Sequence, residues 1–175
     1  MRLIGLDPGL RVCGWGVIEA TGNSLRHIAH GIVRTDDEAA LAERLAQIYR
    51  GLNDLMATHR PDAAAVEETF VNRNPASAIK LGEARGVVML VPALAGIPVA
   101  EYPANVIKKS LVGAGHANKH QVAAMIRVLL PGCGVEAADA ADALAVAVCH
   151  AHHAATSSRW QSAQRVAAQR ASARP

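Results

Sequence analysis

The chain has only three cysteines in 175 residues, Cys13, Cys133 and Cys149, with no C-x-x-C pair and an odd count. That excludes a disulfide framework and a thiolate zinc site, and it suits a reducing, cytoplasmic setting. Long apolar runs are also lacking. The best stretch, residues 86–97, is too short for a bilayer and is broken by Pro92 and Gly96. The opening residues, MRLIGLD, lack the basic, apolar and small-residue series of a secretion signal. Acidic residues stop at Asp142, whereas Arg159, Arg165, Arg170 and Arg174 follow. Aromatics make up 3%, and Phe70 is the only phenylalanine.

What is present is a 51% hydrophobic chain with 19% charged residues, sufficient for one compact α/β domain and too short for two large lobes. A net charge of +3 and a pI near 9.0 permit nucleic-acid binding without requiring it.

Residues 2–6 read as a buried strand stopped by Pro8-Gly9, with further strands over 14–20 and 25–34 separated by Thr21-Gly22-Asn23. These form an antiparallel meander. Thr35-Asp36-Asp37-Glu38 has the form of a capping box before a helix that presents Leu41, Leu45, Ile48, Leu52 and Leu55 on one face. Residues 63–66, Ala-Ala-Ala-Val, are weak in strand propensity but stand where an α/β unit needs a strand. Helices are expected over 75–94, 104–111, 119–130 and 136–152, with a strand over 99–102. Residues 1–156 then make one domain, and 157–175, rich in Ser, Gln, Ala and Arg, read as a basic disordered tail. The order implies a mixed five-stranded sheet, three antiparallel strands then parallel ones, with helices on both faces.

Four acids bear on chemistry. Asp7 ends the first strand on the side of Leu3 and Gly5, Glu67 ends the fourth, and Asp139 and Asp142 share a helix face among alanines. Each has an ordinary reading: a turn residue, a solvated loop charge, two helix-start acids. Together, with the first and fourth strands as neighbours, they would converge and raise one another's pKa unless a cation compensates. An oxygen-only ligand set suits Mg²⁺ or Mn²⁺ rather than zinc. Two such ions about 3.5–4 Å apart activate water and stabilise the leaving oxygen of a phosphodiester.

These residues lie in motifs. Ile4-Gly5-Leu6-Asp7-Pro8-Gly9-Leu10-Arg11 with Gly14-Trp15-Gly16-Val17, then Val66-Glu67-Glu68-Thr69-Phe70, the helix over 74–86, and Ala138-Asp139-Ala140-Ala141-Asp142-Ala143-Leu144-Ala145 together resemble the RuvC family of Holliday-junction resolvases across residues 1–153. The resemblance implies a ribonuclease-H-like fold and a homodimer that nicks opposing strands of a four-way DNA junction, leaving 5′-phosphate and 3′-hydroxyl ends. It carries over Asp7, Glu67, Asp139 and Asp142 as catalytic metal ligands for two Mg²⁺, with Mn²⁺ able to substitute. Glu68 is the alternative to Glu67, and family register favours the latter. The resemblance also implies association with the branch-migration proteins RuvA and RuvB.

For DNA, Lys108 and Lys119 match family basic positions and are expected on the scissile strand, while Lys109, His116 and His120 divide evenly between DNA contacts and solvated surface. Phe70 is expected to stack on unpaired bases, with Arg73 and Asn74 on phosphate nearby. Gly82 and Gly86, four apart in one helix, allow close approach either to the sheet or to a second subunit, and the latter is expected. His150, His152 and His153 read as a helix end rather than a metal site. Rival readings are an actin-like ATPase lobe, a YqgF-type RNA-processing nuclease of the same fold, and a junction-binding protein without catalysis.

Overall fold

A computed structural model describes residues 1–68 and 74–172, with side chains as far as 155. The chain opens with three antiparallel strands, β1 (Arg2–Asp7), β2 (Val12–Thr21) and β3 (Ser24–Arg34), followed by helix α1 (Leu41–His59). Strand β4 (Ala63–Glu68), helix α2 (Pro75–Leu94) and strand β5 (Val99–Pro103) come next. Helices α3 (Ala104–Val112), α4 (Lys119–Leu129) and α5 (Ala138–Ser172) complete the described chain. The sheet order is β3-β2-β1-β4-β5, with β1 parallel to β4 and β4 parallel to β5, the mixed sheet expected from the sequence.

Strand parity sorts the core into two layers. Leu3, Ala63 and Ala65 face α3, α4 and α5, whereas Ile4, Leu6, Ala64 and Val66 face α1 and α2. Burial on both faces explains why β1 and β4 are continuously apolar rather than alternating. It also explains how an alanine-rich segment becomes a strand, since β4 is held between two partners and two helical layers.

α5 lies across β1 and β2 at unusually close range. A Cβ on Gly5 would fall on the Ala143 carbonyl and reach 2.5 Å from the Ala147 nitrogen, and one on Gly14 would strike the backbone of Asp139. Glycine in the two strands and alanine in the helix make that approach possible.

One expectation is corrected. No capping box forms at Thr35–Glu38. Thr35 instead donates its hydroxyl to the Leu10 carbonyl at 2.6 Å, Asp37 binds Arg11 and Arg44, and α1 starts at Leu41 without a side-chain cap. The box stands at α4, where Asn118 and Gln121 satisfy each other's backbone N–H groups. α5 runs on to Ser172, because alanine, glutamine and arginine favour helix and no glycine or proline intervenes to stop it. Residues 173–175 lie outside the described residues.

Candidate active site

Asp7 ends β1, and Glu67 stands one residue before the end of the neighbouring parallel β4, each one residue beyond the paired Leu6 and Val66. Parity separates Glu67 from Glu68. Glu67 shares the side of Ala63 and Ala65, facing α5, and it is Glu67 that lines the cleft. Asp139 and Asp142 come from the first turns of α5. Gly14 pairs with Asp7 across the β1–β2 ladder, and its missing side chain lets Asp139 settle beside that strand end.

The four carboxylates therefore line one cavity of about 260 Å³, together with Lys108 from α3 and Lys119 from the start of α4. Lys119 reaches Asp142, Nζ to Oδ2, at 3.4 Å, while remaining largely exposed.

The electrostatics of this cleft are strained. Burial, and then the charges of Glu67, Asp142 and Asp139, push the Asp7 carboxyl up to about 8, with Lys119 acting in the opposite sense. Glu67 is raised by burial and by Asp142, against Lys108 and Lys119. Lys119 is raised by Asp142, which favours its charged form.

An acidic, oxygen-only donor set in which the carboxylates penalise each other fits hard divalent cations. Among the described residues, no three His, Cys, Asp or Glu side chains are grouped so as to enclose an ion by themselves. That is compatible with an ion such as Mg²⁺, which keeps several waters and takes substrate phosphate oxygens alongside one or two carboxylates.

Other residues singled out in the sequence divide. Asn74 caps α2, its side chain accepting from the Ala76 N–H at 3.1 Å. Phe70 and Arg73 lie outside the described residues. Lys109 lines a different cavity, with Ser110, His152 and His153. His116 and His120 are not among the residues lining the cleft.

His150 meets the Tyr102 hydroxyl at 2.8 Å and His152 meets Ser110 at 3.1 Å, so both pin α5 to its neighbours. The three cysteines are buried and free, and burial pushes the Cys13 thiol up to about 12. No helix among the described residues is long and apolar enough to cross a membrane.

Sequence reading passed over the strand glycines and a set of basic residues, Arg11, Arg34, Arg44 and Lys80, that line a groove beside Asp139. The glycines left a signal in their parity: Gly5, Gly14 and Gly16 all lie beneath α5. The basic residues left little, because they come from four separate elements.

Carboxylates that need cations, with lysines beside them suited to an anion, at the open end of this sheet define a metal-dependent nuclease of ribonuclease-H-like architecture. Residues 3–150 match the family model described as crossover junction endodeoxyribonuclease RuvC, and the chain belongs to that family.

It is 63% identical over 155 residues to the RuvC of Rhodospirillum rubrum, covering 89% of this chain and 92% of that one. Against the RuvC of Paramagnetospirillum magneticum it is 62% identical over 156 residues, covering 89% and 94%. A solved structure of T. thermophilus RuvC in complex with a Holliday junction substrate superposes with a TM-score of 0.81 at 36% identity, covering 90% of this chain and 96% of that one.

Proposed function

We propose that the protein resolves four-way DNA junctions by paired symmetric nicks, hydrolysing phosphodiesters to 5′-phosphate and 3′-hydroxyl ends in recombination and repair. The observation that carries this is the convergence of Asp7, Glu67, Asp139 and Asp142 in one cleft with Lys108 and Lys119. The four carboxylates would hold the ions, Mg²⁺ in the first instance with Mn²⁺ as substitute. Bound there, two divalent ions supply an activated water and stabilise the leaving oxygen.

The chain's own residues do the rest. Lys119, held at Asp142, and Lys108 grip the scissile phosphate and oppose its developing charge. The N-terminal end of α5, which carries Asp139 and Asp142, adds the positive end of a helix dipole. Phe70 stacks on a base unpaired at the crossover, and Arg73 holds phosphate beside it.

Two nicks need two sites, and a C₂ dimer through α2 provides them. Ile79, Leu90 and Leu94 are exposed on α2, and among the described residues nothing approaches the open positions at Gly82 and Gly86. The second subunit is their occupant in this reading. Association with RuvA and RuvB and a cytoplasmic location complete it. The rival readings lose ground to the extent and level of identity with RuvC proteins.

The test is cleavage of a labelled synthetic four-way junction with Mg²⁺, with Mn²⁺ and with chelator. Paired symmetric nicks that need metal are expected, and binding without cleavage under every metal would overturn the reading. In the same assay Phe70→Ala is expected to cut at least about tenfold more slowly, in line with a base-stacking contribution of about 1–3 kcal/mol, with the melting temperature unchanged. A large fall in melting temperature would mark Phe70 as core instead. Light scattering at micromolar concentration should give a dimer, and Leu90→Arg a monomer; a monomeric wild type would remove α2 from the interface.

A further inference from the structure

Asp139 is the shared wall of two depressions. On one side lies the acidic cleft; on the other a groove of about 710 Å³ receives Arg11 from the turn after β1, Arg34 from the end of β3, Arg44 from α1 and Lys80 from α2. Two acids accompany them: Asp139 in the shared wall, and Asp37, which binds Arg11 at 2.5 Å and Arg44 at 2.8 Å.

The Arg44 guanidinium is a fixed part of the wall. Its side chain is only 13% exposed, and it donates to the Thr35 hydroxyl at 3.0 Å and the Leu10 carbonyl at 3.3 Å. Arg11, Arg34 and Lys80 are exposed. Four cations beside two carboxylates, Asp37 and Asp139, leave the groove net positive. The shared Asp139 makes it continuous with the place where a phosphodiester would be cut.

A groove of this charge, open and lined from four elements, suits a chain of phosphates rather than a single anion. Phosphate contacts fix the register of a protein on DNA without reading its sequence, which is what cleavage at one defined position requires.

We infer that this groove carries the phosphate backbone of the DNA arm that continues past the scissile phosphate. Arg11, Arg34 and Lys80 make the contacts, and Asp37, tied to the partly buried Arg44, holds Arg11 in its bound geometry. The inference rests on the nuclease reading above and extends it by naming a second binding surface on the same substrate.

The experiment uses the full chain and a labelled four-way junction, with binding measured in chelator over a range of KCl concentrations. Arg34→Gln and Lys80→Gln are compared, singly and together, with wild type and with Arg26→Gln. Arg26 pairs with Glu19 at the opposite end of the sheet from Asp7.

Each groove substitution is expected to weaken binding several-fold. It should also lower the slope of log affinity against log salt by about 0.9 for each phosphate no longer neutralised. Melting temperatures and the Arg26→Gln protein should stay at wild-type values. Unchanged affinity and slope in the double variant overturn the inference, as does an equal loss in Arg26→Gln.

The two readings separate cleanly. Cleavage by wild type with no effect of the groove variants removes the groove alone. A wild type that cuts no junction, but whose DNA binding weakens in the variants, removes the resolvase reading and keeps the groove. Absence of any DNA binding removes both.

Discussion

Asp7→Asn is expected to lose junction cleavage by about a thousandfold or more in Mg²⁺, to keep junction binding, and to melt higher than wild type in chelator. The first effect comes from the centre of the site. Asp7 stands at the end of β1 between Glu67 and the acids of α5, and a neutral amide there removes a charge that, in the proposed mechanism, would hold the ions. A loss of this size is at the upper end of the range for removing one preorganised electrostatic contact at a transition state. Binding persists because the lysines and the basic groove are untouched.

The stability effect has the opposite sign and comes from the same crowding. The Asp7 carboxyl titrates near 8 in the folded protein against an ordinary 3.8. Between those values the folded protein holds a proton that the unfolded chain has released. The stability due to this group is therefore complete below about pH 4 and lost as the pH rises through 8.

Asparagine has no charge to penalise, so the variant should gain on the wild type across that window. A gain of about 1 kcal/mol or more is expected, since one pKa unit corresponds to about 1.4 kcal/mol. Thermal melts in chelator at acid and mildly alkaline pH measure it, and Mg²⁺ should raise the wild type selectively. Undiminished cleavage by Asp7→Asn would remove Asp7 from the metal set. Equal melting temperatures on the alkaline side would mean that the acids do not crowd it.

Gly14→Ala is expected to lower the melting temperature by several degrees and to cut cleavage severely. Its Cβ would fall on the Asp139 carbonyl and within 2.5 Å of that carbonyl's carbon. Backbone cannot rotate aside, so the first turn of α5 must shift, carrying one of the cleft's carboxylates with it. Overpacking of this kind costs about 1–3 kcal/mol, or several degrees in a domain of this size.

Gly16→Ala is the informative partner. Its Cβ would meet chiefly the Leu144 side chain, at 2.6–2.7 Å, which has more freedom to move. It should cost less stability and much less activity. A Gly14→Ala protein that melts and cleaves like wild type would show that α5 does not depend on that approach.

Much of the fold is legible in the chain. Apolar runs and turn residues locate the strands within a residue or two, and even Ala63–Val66 is recognisable from its place in the order. The four acids stand out because each interrupts an apolar segment. The helix caps are less legible. Thr35 has the right neighbours for a cap but spends its hydroxyl on Leu10, while Asn118 and Gln121 form the box. Both segments satisfy the same local pattern, and only the surroundings choose between them. The end of α5 escapes for the related reason that a low-complexity run of good helix formers carries no stop.

By itself the sequence determined the sheet's composition, the residue types available for chemistry and the side of each strand on which they lie. Those are consequences of local geometry and of the two-residue period of a strand. Only the tertiary structure decided that Asp7, Glu67, Asp139 and Asp142 share one cavity, that Glu67 rather than Glu68 enters it, and that four cations from separate elements meet beyond Asp139. Convergence depends on β1 and β4 being adjacent and on how closely α5 can approach Gly5 and Gly14. The approach of α5 to β1 and β2 joins residues more than a hundred positions apart, and no local pattern in the chain encodes it.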